Sequence, residues 1–350
     1  MPLLTVSSLR KRFNLEAGFF ARFGRFVNAV NDVSFVIGRD ETYGLVGESG
    51  CGKTTTARLL VRMYDADSGK IFFHWENNRE NNRENNKENH RENNTVDVGA
   101  LKGNNLRQYR QKVRYVFQDP ARSLNPRMSI YETLVSGVKW TPEGKTGGHN
   151  NKNHLREIAA AALEEVGLPA ADLDRRPAEF SGGQRQRISI ARGLLPQPEL
   201  LICDEVVSAL DVSIQGQILN LLLDIREKRV RENRTMSFLF IAHDLKVACY
   251  FCDRIGVMYA GELMEEAPAA DLWNSRRHPY TQMLFAAAMA SHSQAEETAP
   301  MPKTPAVRSE LPSCAFAPRC PMASQRCYSE APVMREAAPK HFIRCHGCVS

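Results

Sequence analysis

Residues 43–54 read YGLVGESGCGKT, and this stretch decides the fold. Tyr43 to Val46 form a short apolar strand candidate, and a helical pattern runs from Lys53 to about Met63. Between them the spacing is G-x-x-x-x-G-K-T, which predicts a phosphate-binding loop. Its glycines let successive backbone N–H groups converge on phosphate oxygens, where the helix N-terminus adds a favourable dipole. Residues 47–54 are called the phosphate loop below.

Two side chains of the phosphate loop have distinct predicted tasks. Lys53 supplies a positive charge for the β- and γ-phosphates, and Thr54 supplies a hydroxyl group for Mg²⁺. A glycine-rich turn without a ligand is the alternative, and the flanking strand and helix argue against it. The predicted nucleotide-binding residues of this stretch are Gly47, Glu48, Ser49, Gly50, Cys51, Gly52, Lys53, Thr54 and Thr55.

A second apolar strand candidate, residues 200–203, ends in the two acids Asp204 and Glu205. A central strand of a parallel sheet is apolar on both faces, so acids at its C-terminal end point into the ligand crevice. We predict that Asp204 holds Mg²⁺ through water, and that Glu205 orients or deprotonates the attacking water. An ordinary solvated strand end is the alternative.

Residues 180–187, FSGGQRQR, begin a predicted helix with Ser181 as its N-cap. The paired glycines leave backbone N–H groups bare, which predicts a second anion-binding helix end. Here the chain resembles the ATP-binding cassette (ABC) family, whose signature is L-S-G-G-Q, with Phe180 in place of the leucine. The resemblance implies nucleotide contacts, made to the partner subunit's ATP, from Ser181, Gly182, Gly183 and Gln184.

The same resemblance assigns further positions. Gln118 matches the Q-loop glutamine that contacts Mg²⁺ and the attacking water, and Asp211 matches the D-loop aspartate. His243 matches the switch histidine that contacts the γ-phosphate. The adenine-stacking aromatic lies among the phenylalanines of residues 19–26, and Phe23 is the preferred candidate.

Three segments resemble the oligopeptide/dipeptide importer subgroup: residues 118–128, the HPYT motif at residues 278–281, and the cysteine-rich end of the chain. The phosphate loop is similar to that of the second ATPase, often called the F subunit. The resemblance implies ATP hydrolysis that powers peptide import, on the cytoplasmic face of an inner membrane. It also implies partners: a second ATPase subunit (identical or paralogous), two membrane permease subunits and, indirectly, a solute-binding protein.

Composition limits the other classes. A length of 350 residues predicts about two domains, and 43% hydrophobic residues are enough for a sizeable core. No apolar run approaches the roughly 18–20 residues of a membrane span, and no secretory signal is apparent at the N-terminus. The net charge of +6 is mild, so nucleic acid is not predicted as a partner.

The fold predicted is α/β, and the resemblance implies a RecA-like P-loop core, an antiparallel β-subdomain and a helical signature subdomain at about residues 121–190. Residues 1–274 form the predicted nucleotide-binding domain, and residues 275–350 its C-terminal extension. Residues 76–94 repeat ENNR-like units without an apolar side chain, which predicts a disordered insertion, with a weak helix as the alternative. Residues 291–312 have the composition of a linker.

Five of the nine cysteines fall in the last 37 residues. Without an export signal, such a cluster indicates soft-metal ligation or plain thiols rather than disulfides. The family resemblance implies an iron–sulfur cluster in some members, so a 4Fe–4S cluster, zinc and no metal all stay open. The predicted ligands are Cys314, Cys320, Cys327 and Cys345, with Cys348 as a replacement for the last.

Two other functions compete with the importer. One is a soluble ABC ATPase that is not coupled to transport, and the other is a metal-dependent sensor with a regulatory ATPase. The first usually shows tandem cassettes or a long coiled-coil insertion, and this sequence has neither.

Overall fold

The computed structural model describes residues 1–14, 26–75, 95–137, 149–290 and 313–348. Its strands are β1 Pro2–Asn14, β2 Phe26–Gly38, β3 Thr42–Val46, β4 Ser68–His74, β5 Thr95–Asp97, β6 Val113–Val116, β7 Leu200–Asp204, β8 Ser237–Ala242, β9 Arg254–Tyr259, β10 Glu262–Pro268, β11 Arg335–Ala338 and β12 His341–Ile343. Its α-helices are α1 Lys53–Leu60, α2 Gly103–Lys112, α3 Pro120–Ser123, α4 Ile130–Ser136, α5 His149–Glu165, α6 Gly182–Leu194, α7 Val212–Arg231, α8 Leu245–Phe251, α9 Ala269–Ser275, α10 Pro279–Ala290 and α11 Gln325–Ser329.

The larger sheet has the strand order β11-β12-β10-β9-β3-β8-β7-β6. Strands β9, β3, β8, β7 and β6 run parallel, while β10, β12 and β11 continue the sheet in antiparallel fashion. Strand β7 is buried along its whole length because it has a hydrophobic layer on each side. Leu200 and Ile202 pack into one layer, and Leu201 and Cys203 pack into the other. The predicted apolar strands therefore form the centre of an α/β core.

The smaller sheet is antiparallel, with the strand order β2-β1-β4-β5. The asparagine-rich stretch, residues 76–94, falls between β4 and β5, and its predicted disorder lies outside the described residues. The linker predicted at residues 291–312 lies outside them as well.

Helix α1 ends earlier than its apolar pattern predicts. We expected the helix to continue to about Met63, but it stops at Leu60. Arg62 has φ +57°, a left-handed conformation that ends a helix. Val61 and Met63 then close the last turn with backbone hydrogen bonds to Ala57 and Arg58.

Residues 120–194 contain helices α3 to α6. Helix α4 begins with a capping box in which Ser129 and Glu132 exchange hydrogen bonds, and α6 begins with the same arrangement between Ser181 and Gln184. Ser181 is thus the N-cap that the sequence predicts. Among the helices described, none is both long enough and apolar enough to cross a membrane.

The C-terminal segment, residues 313–348, packs on the larger sheet. Strand β12 pairs with β10, and the amide of Arg344 donates to the carbonyl of Met264 at 2.8 Å. Cys314, Phe316 and Cys327 belong to the same hydrophobic cluster as the core helices. This segment therefore shares the core of the preceding chain.

Candidate functional site

The phosphate loop lies between β3 and α1 and borders a cavity of about 420 Å³. Lys53 is only 4% exposed, and its Nζ donates to the carbonyls of Gly47 at 2.7 Å and Glu48 at 2.9 Å. The loop therefore closes around the buried ammonium group of Lys53. The cavity is lined by Val27, Asn28, Ala29, Ser49, Gly50, Gly52, Lys53, Thr54, Thr55, Gln118, Glu205, Ala260 and Gly261.

Two glycines of the loop are required by close backbone contacts. Gly47 has φ +156°, and a Cβ atom there would lie 2.1 Å from the carbonyl oxygen of Met258. Gly52 has φ +110°, and its Cβ atom would lie 2.2 Å from the carbonyl oxygen of Ala29. Any side chain at either position would force the loop away from strands β2 and β9.

The hydroxyl and carboxylate predicted to hold Mg²⁺ lie side by side. Thr54 Oγ1 donates to Asp204 Oδ1 at 2.9 Å, although the two residues are 150 positions apart. The other oxygen, Asp204 Oδ2, accepts a hydrogen bond from Tyr115 at 2.5 Å. A hydroxyl and a carboxylate at the edge of a phosphate cavity form the oxygen-rich donor set that suits Mg²⁺, so these residues fit that ion.

Glu205 and Gln118 meet at the same cavity. Gln118 Nε2 donates to Glu205 Oε2 at 2.7 Å. Glu205 has φ +49°, in the left-handed region that is uncommon for residues other than glycine, and its amide is tied to the carbonyl of Ile241 at 3.0 Å. Backbone strain of this kind often marks functional sites. Here it places the carboxylate beyond the end of β7, facing the phosphate loop cavity.

The signature helix α6 does not share this cavity. Ser181 to Gln184 are absent from its lining. Ser181 and Gly182 are exposed, so the N-terminus of α6 faces outward. Gly183 is buried for a different reason, because a Cβ atom there would lie 2.9 Å from Ile214 Cγ2 on α7. The two glycines thus serve two purposes: one exposes the helix end, and the other allows close helix packing.

The remaining predicted residues are dispersed. His243 is exposed and lines a small pocket together with Glu205, Ser208 and Gln215. Asp211 is exposed and is the N-cap of α7, away from the phosphate loop cavity. Phe23 lies outside the described residues. The structure therefore brings together Lys53, Thr54, Asp204, Gln118 and Glu205 directly, and His243 through Glu205.

Three contacts at the site were missed by the sequence analysis. Tyr115 bonds Asp204, and both burial and that carboxylate raise the pKa of its hydroxyl group, which stays protonated as a donor. Tyr280 accepts a hydrogen bond from the amide of Glu48 at 3.0 Å. Arg319 forms an ion pair with the Glu48 carboxylate. Tyr280 belongs to the HPYT motif, which was a signal without an assigned task, whereas no local pattern marked Tyr115 or Arg319.

The C-terminal cysteines line one cavity of about 190 Å³, hereafter the cysteine cavity. All nine cysteines of the chain are free thiols. A hydrogen bond joins the Cys345 and Cys348 sulfur atoms at 3.4 Å, and it is the main cause lowering the pKa of Cys345 to about 6. Within the described ranges, no three His, Cys, Asp or Glu side chains are grouped closely enough to hold a metal ion. The five cysteines on the cavity wall are Cys314, Cys320, Cys327, Cys345 and Cys348.

Sequence comparison places this arrangement among known proteins. Residues 30–208 match the ABC transporter family, and residues 264–327 match the oligopeptide/dipeptide transporter C-terminal region. The oligopeptide transport ATP-binding protein AppF of Bacillus subtilis is 38% identical, over 98% of this chain and 97% of its own length. A protein of Brucella ovis named for peptide import and ATP binding has the same identity and coverage.

Solved structures show the same fold. A nucleotide-free ATP-binding cassette from an ABC transporter aligns with a TM-score of 0.59 at 21% identity, covering 81% of this chain and 99% of that one. The ATP-binding cassette MJ0796, in a dimeric post-hydrolysis state with ADP and phosphate, aligns with a TM-score of 0.58 at 22% identity. It covers 76% of this chain and 98% of its own. The chain therefore belongs to the ABC transporter family, as an ATP-binding cassette whose C-terminal region is of the oligopeptide/dipeptide transporter type.

Proposed function

We propose that the protein is the ATP-hydrolysing subunit of a peptide importer. The observation that carries the proposal is the convergence at one cavity of Lys53, Thr54, Gln118 and Glu205, with Asp204 bonded to Thr54. The relatives that are similar over nearly the whole chain are named for peptide import or oligopeptide transport, which supports peptides as the solute. The mild charge and single cassette do not favour a soluble ABC ATPase.

In this proposal the phosphate loop binds the triphosphate of ATP, and Thr54 and Asp204 hold Mg²⁺, which would neutralise charge on the phosphates. Glu205 accepts a proton from the attacking water, and Gln118, already bonded to it, helps to orient that water. His243 contacts the γ-phosphate region from the pocket it shares with Glu205. The outward-facing end of α6 would serve the ATP of a second cassette, since Ser181 and Gly182 are exposed at a helix N-terminus, where anions bind favourably.

We propose that a membrane subunit binds in a groove of about 460 Å³. This contact would hold the protein on the cytoplasmic face of the membrane. It lies beside the loop that carries Gln118 and is lined by Phe117 and Ser123 from that loop. Arg114 and Arg192 also line it, and burial lowers the pKa of both guanidinium groups. Neither forms an ion pair with a carboxylate of the described residues, so an acidic side chain of the partner would complete the groove.

The test is co-purification and transport. Tagged protein extracted from its native membrane should carry two permease subunits, and proteoliposomes of the complex should take up peptides only with ATP. Lys53→Ala should abolish that uptake.

Arg114→Glu should lose the permeases but keep ATP binding, whereas Arg231→Glu, on the exposed face of α7, should keep both. Recovery without membrane proteins would favour the soluble ATPase, and uptake of a different solute would correct the substrate class.

We also propose that the cysteine cavity holds a 4Fe–4S cluster, with zinc as the alternative. Five thiols around one cavity form an all-sulfur donor set, which suits soft metals. No three of them lie close enough to hold a single ion as they stand, so binding would require the thiols to move together. A cluster bound by Cys314, Cys320, Cys327 and Cys345 would cross-link four points of the C-terminal segment. Protein purified without air should contain iron and sulfide, and Cys320→Ser should lose both. Stoichiometric zinc would replace the cluster assignment, and absence of any metal would leave plain thiols and disfavour the metal-sensor alternative.

A further inference from the structure

An ion pair joins the phosphate loop to the C-terminal segment. Arg319 Nη1 donates to Glu48 Oε2 at 2.9 Å, and Nη2 donates to Oε1 at 2.8 Å. This is a bidentate pair, the geometry in which a guanidinium group binds a carboxylate most strongly. The Arg319 side chain is 5% exposed and that of Glu48 is 21% exposed, so solvent screens the pair only partly. The two residues are 271 positions apart.

The charge of Glu48 matters because of where it lies. It follows Gly47 in the phosphate loop, whose backbone amides and Lys53 are arranged to bind an anionic phosphate chain. A carboxylate at this position repels phosphate unless a cation neutralises it. Glu48 is also fixed through its backbone, since its amide donates to Tyr280 and its carbonyl accepts from Lys53. Its position therefore affects both the charge and the shape of the loop.

Arg319 is itself fixed by the segment around the cysteine cavity. It ends the 3₁₀ turn Ala317–Arg319, which lies between Cys314 and Cys320, two thiols of that cavity. The amide of Ala317 donates to the backbone carbonyl of Cys314 at 3.2 Å, and the amide of Cys320 donates to the carbonyl of Ala317 at 3.2 Å. The guanidinium group also lies 5.4 Å from the ring centroid of Tyr259, a cation–π contact. Small movements of this turn would move Arg319 relative to Glu48.

We infer that Arg319 is a positioning residue through which the C-terminal segment sets the ATP affinity of the phosphate loop. Arg319 neutralises Glu48 and holds it against Tyr280, so that the loop accepts phosphate groups. A group bound to Cys314 or Cys320 would act on the same turn. The inference rests on the proposed function insofar as the loop binds ATP.

The test measures ATP affinity in single and double variants. Arg319→Ala should weaken ATP binding about tenfold, a typical coupling between two sites, because it removes the guanidinium group that pairs with the Glu48 carboxylate. The turnover rate at saturating ATP should change less than about twofold, since no reacting group is removed. Arg319→Lys should recover part of the affinity, because lysine keeps the charge but loses the two-pronged geometry. Arg326→Ala is the matched control, since Arg326 pairs with Glu330 in the same segment and on its exposed side.

The decisive variant is the double substitution. Adding Glu48→Gln to Arg319→Ala should bring ATP affinity to within about twofold of that of Glu48→Gln alone, because the repelling charge is gone. A merely structural role of Arg319 predicts no such recovery, and an unchanged affinity in Arg319→Ala would also overturn the inference. If Arg319→Ala does not fold, the ATP affinity of Arg319→Lys and hydrogen exchange of the unsubstituted protein replace it as the test. MgATP should then slow hydrogen exchange at residues 317–320 of the unsubstituted protein. Unsubstituted protein that binds no ATP would instead refute the proposed function.

Discussion

The phosphate loop and the cysteine cavity differ in how far their contacts reach along the chain. The loop is held by neighbours in sequence: Lys53 bonds the carbonyls of Gly47 and Glu48, six and five positions away. The cavity collects thiols from Cys314 to Cys348, and its segment rests on core strands, since Arg319 contacts Tyr259 on β9 and β12 pairs with β10. A short motif can therefore specify the first region, whereas the second depends on a folded core that must already exist.

The largest effect is expected at Glu205, the carboxylate proposed to act as the base. Glu205→Gln should keep ATP binding but lower the rate of hydrolysis about 10²–10⁴-fold, or roughly 3–5 kcal/mol of barrier, because an amide cannot act as a base. The cysteine cavity should be unaffected, which would separate the two regions functionally. The measurement is steady-state phosphate release together with ATP affinity.

Glu227→Gln serves as the control for that substitution. Glu227 is an exposed acid on α7 that pairs with Arg231, so its neutralisation should leave hydrolysis unchanged. If Glu205→Gln hydrolyses ATP at more than half the normal rate, Glu205 is not the base.

Acid should lower the stability of the protein through His278, which belongs to the HPYT motif and lines the cysteine cavity. His278 is 1% exposed, and burial lowers its pKa to about 4 even though the charge of Glu265 acts in the opposite direction. In the unfolded chain its pKa is about 6.5, so between pH 6.5 and 4 only the unfolded chain binds the proton. The free energy of unfolding should therefore fall as the pH drops through this window, by up to about 3 kcal/mol.

The measurement is urea unfolding between pH 7 and pH 4, for the unsubstituted protein and for His278→Gln. The substitution should flatten the pH dependence in this window. His154→Gln, at an exposed position of α5, should leave the dependence as it was. A slope that persists in His278→Gln would assign the acid sensitivity to other groups.

Sequence was sufficient for elements whose cause is local. The strand Thr42–Val46, the buried strand Leu200–Asp204 and the capped helix at Ser181 each carry their own signal in periodicity, turn glycines or capping residues. Helix α1 was predicted too long, because apolar periodicity does not show the left-handed conformation at Arg62.

Long-range contacts left no such signal. Tyr115 lies 89 positions from Asp204, and Arg319 lies 271 positions from Glu48, so each pairing exists only after the sheet has formed. The HPYT motif did mark Tyr280, but its contact with the amide of Glu48 depends on the packing of α10 beneath the phosphate loop. The spacing of the cysteines indicated a shared site, yet not that five thiols would line it.

A smaller effect is expected at Tyr115. Tyr115→Phe removes the hydrogen bond to Asp204 but keeps the ring, which packs 4.8 Å from that of Phe117. Asp204 also bonds Thr54, so it should remain in place but be held less firmly. We expect the Mg²⁺ concentration for half-maximal hydrolysis to rise about fivefold, equivalent to about 1 kcal/mol. Tyr250→Phe, which affects an exposed bond to Asn220, is the control, and an equal response in both would remove Tyr115 from the site.

The smallest effect is expected from removing residues 76–94. Strands β4 and β5 on either side already pair with each other, His74 with Thr95 and Phe73 with Val96. The imidazole of His74 also bonds the hydroxyl of Thr95 at 3.0 Å. A short glycine-containing turn can therefore join them, and because the cost of closing a loop changes only slowly with its length, the difference should be well under a few kcal/mol. The melting temperature should shift by less than about 5 °C, with the ATPase rate unchanged. A larger drop would show that these nineteen polar residues support the smaller sheet, and that composition alone misjudges them.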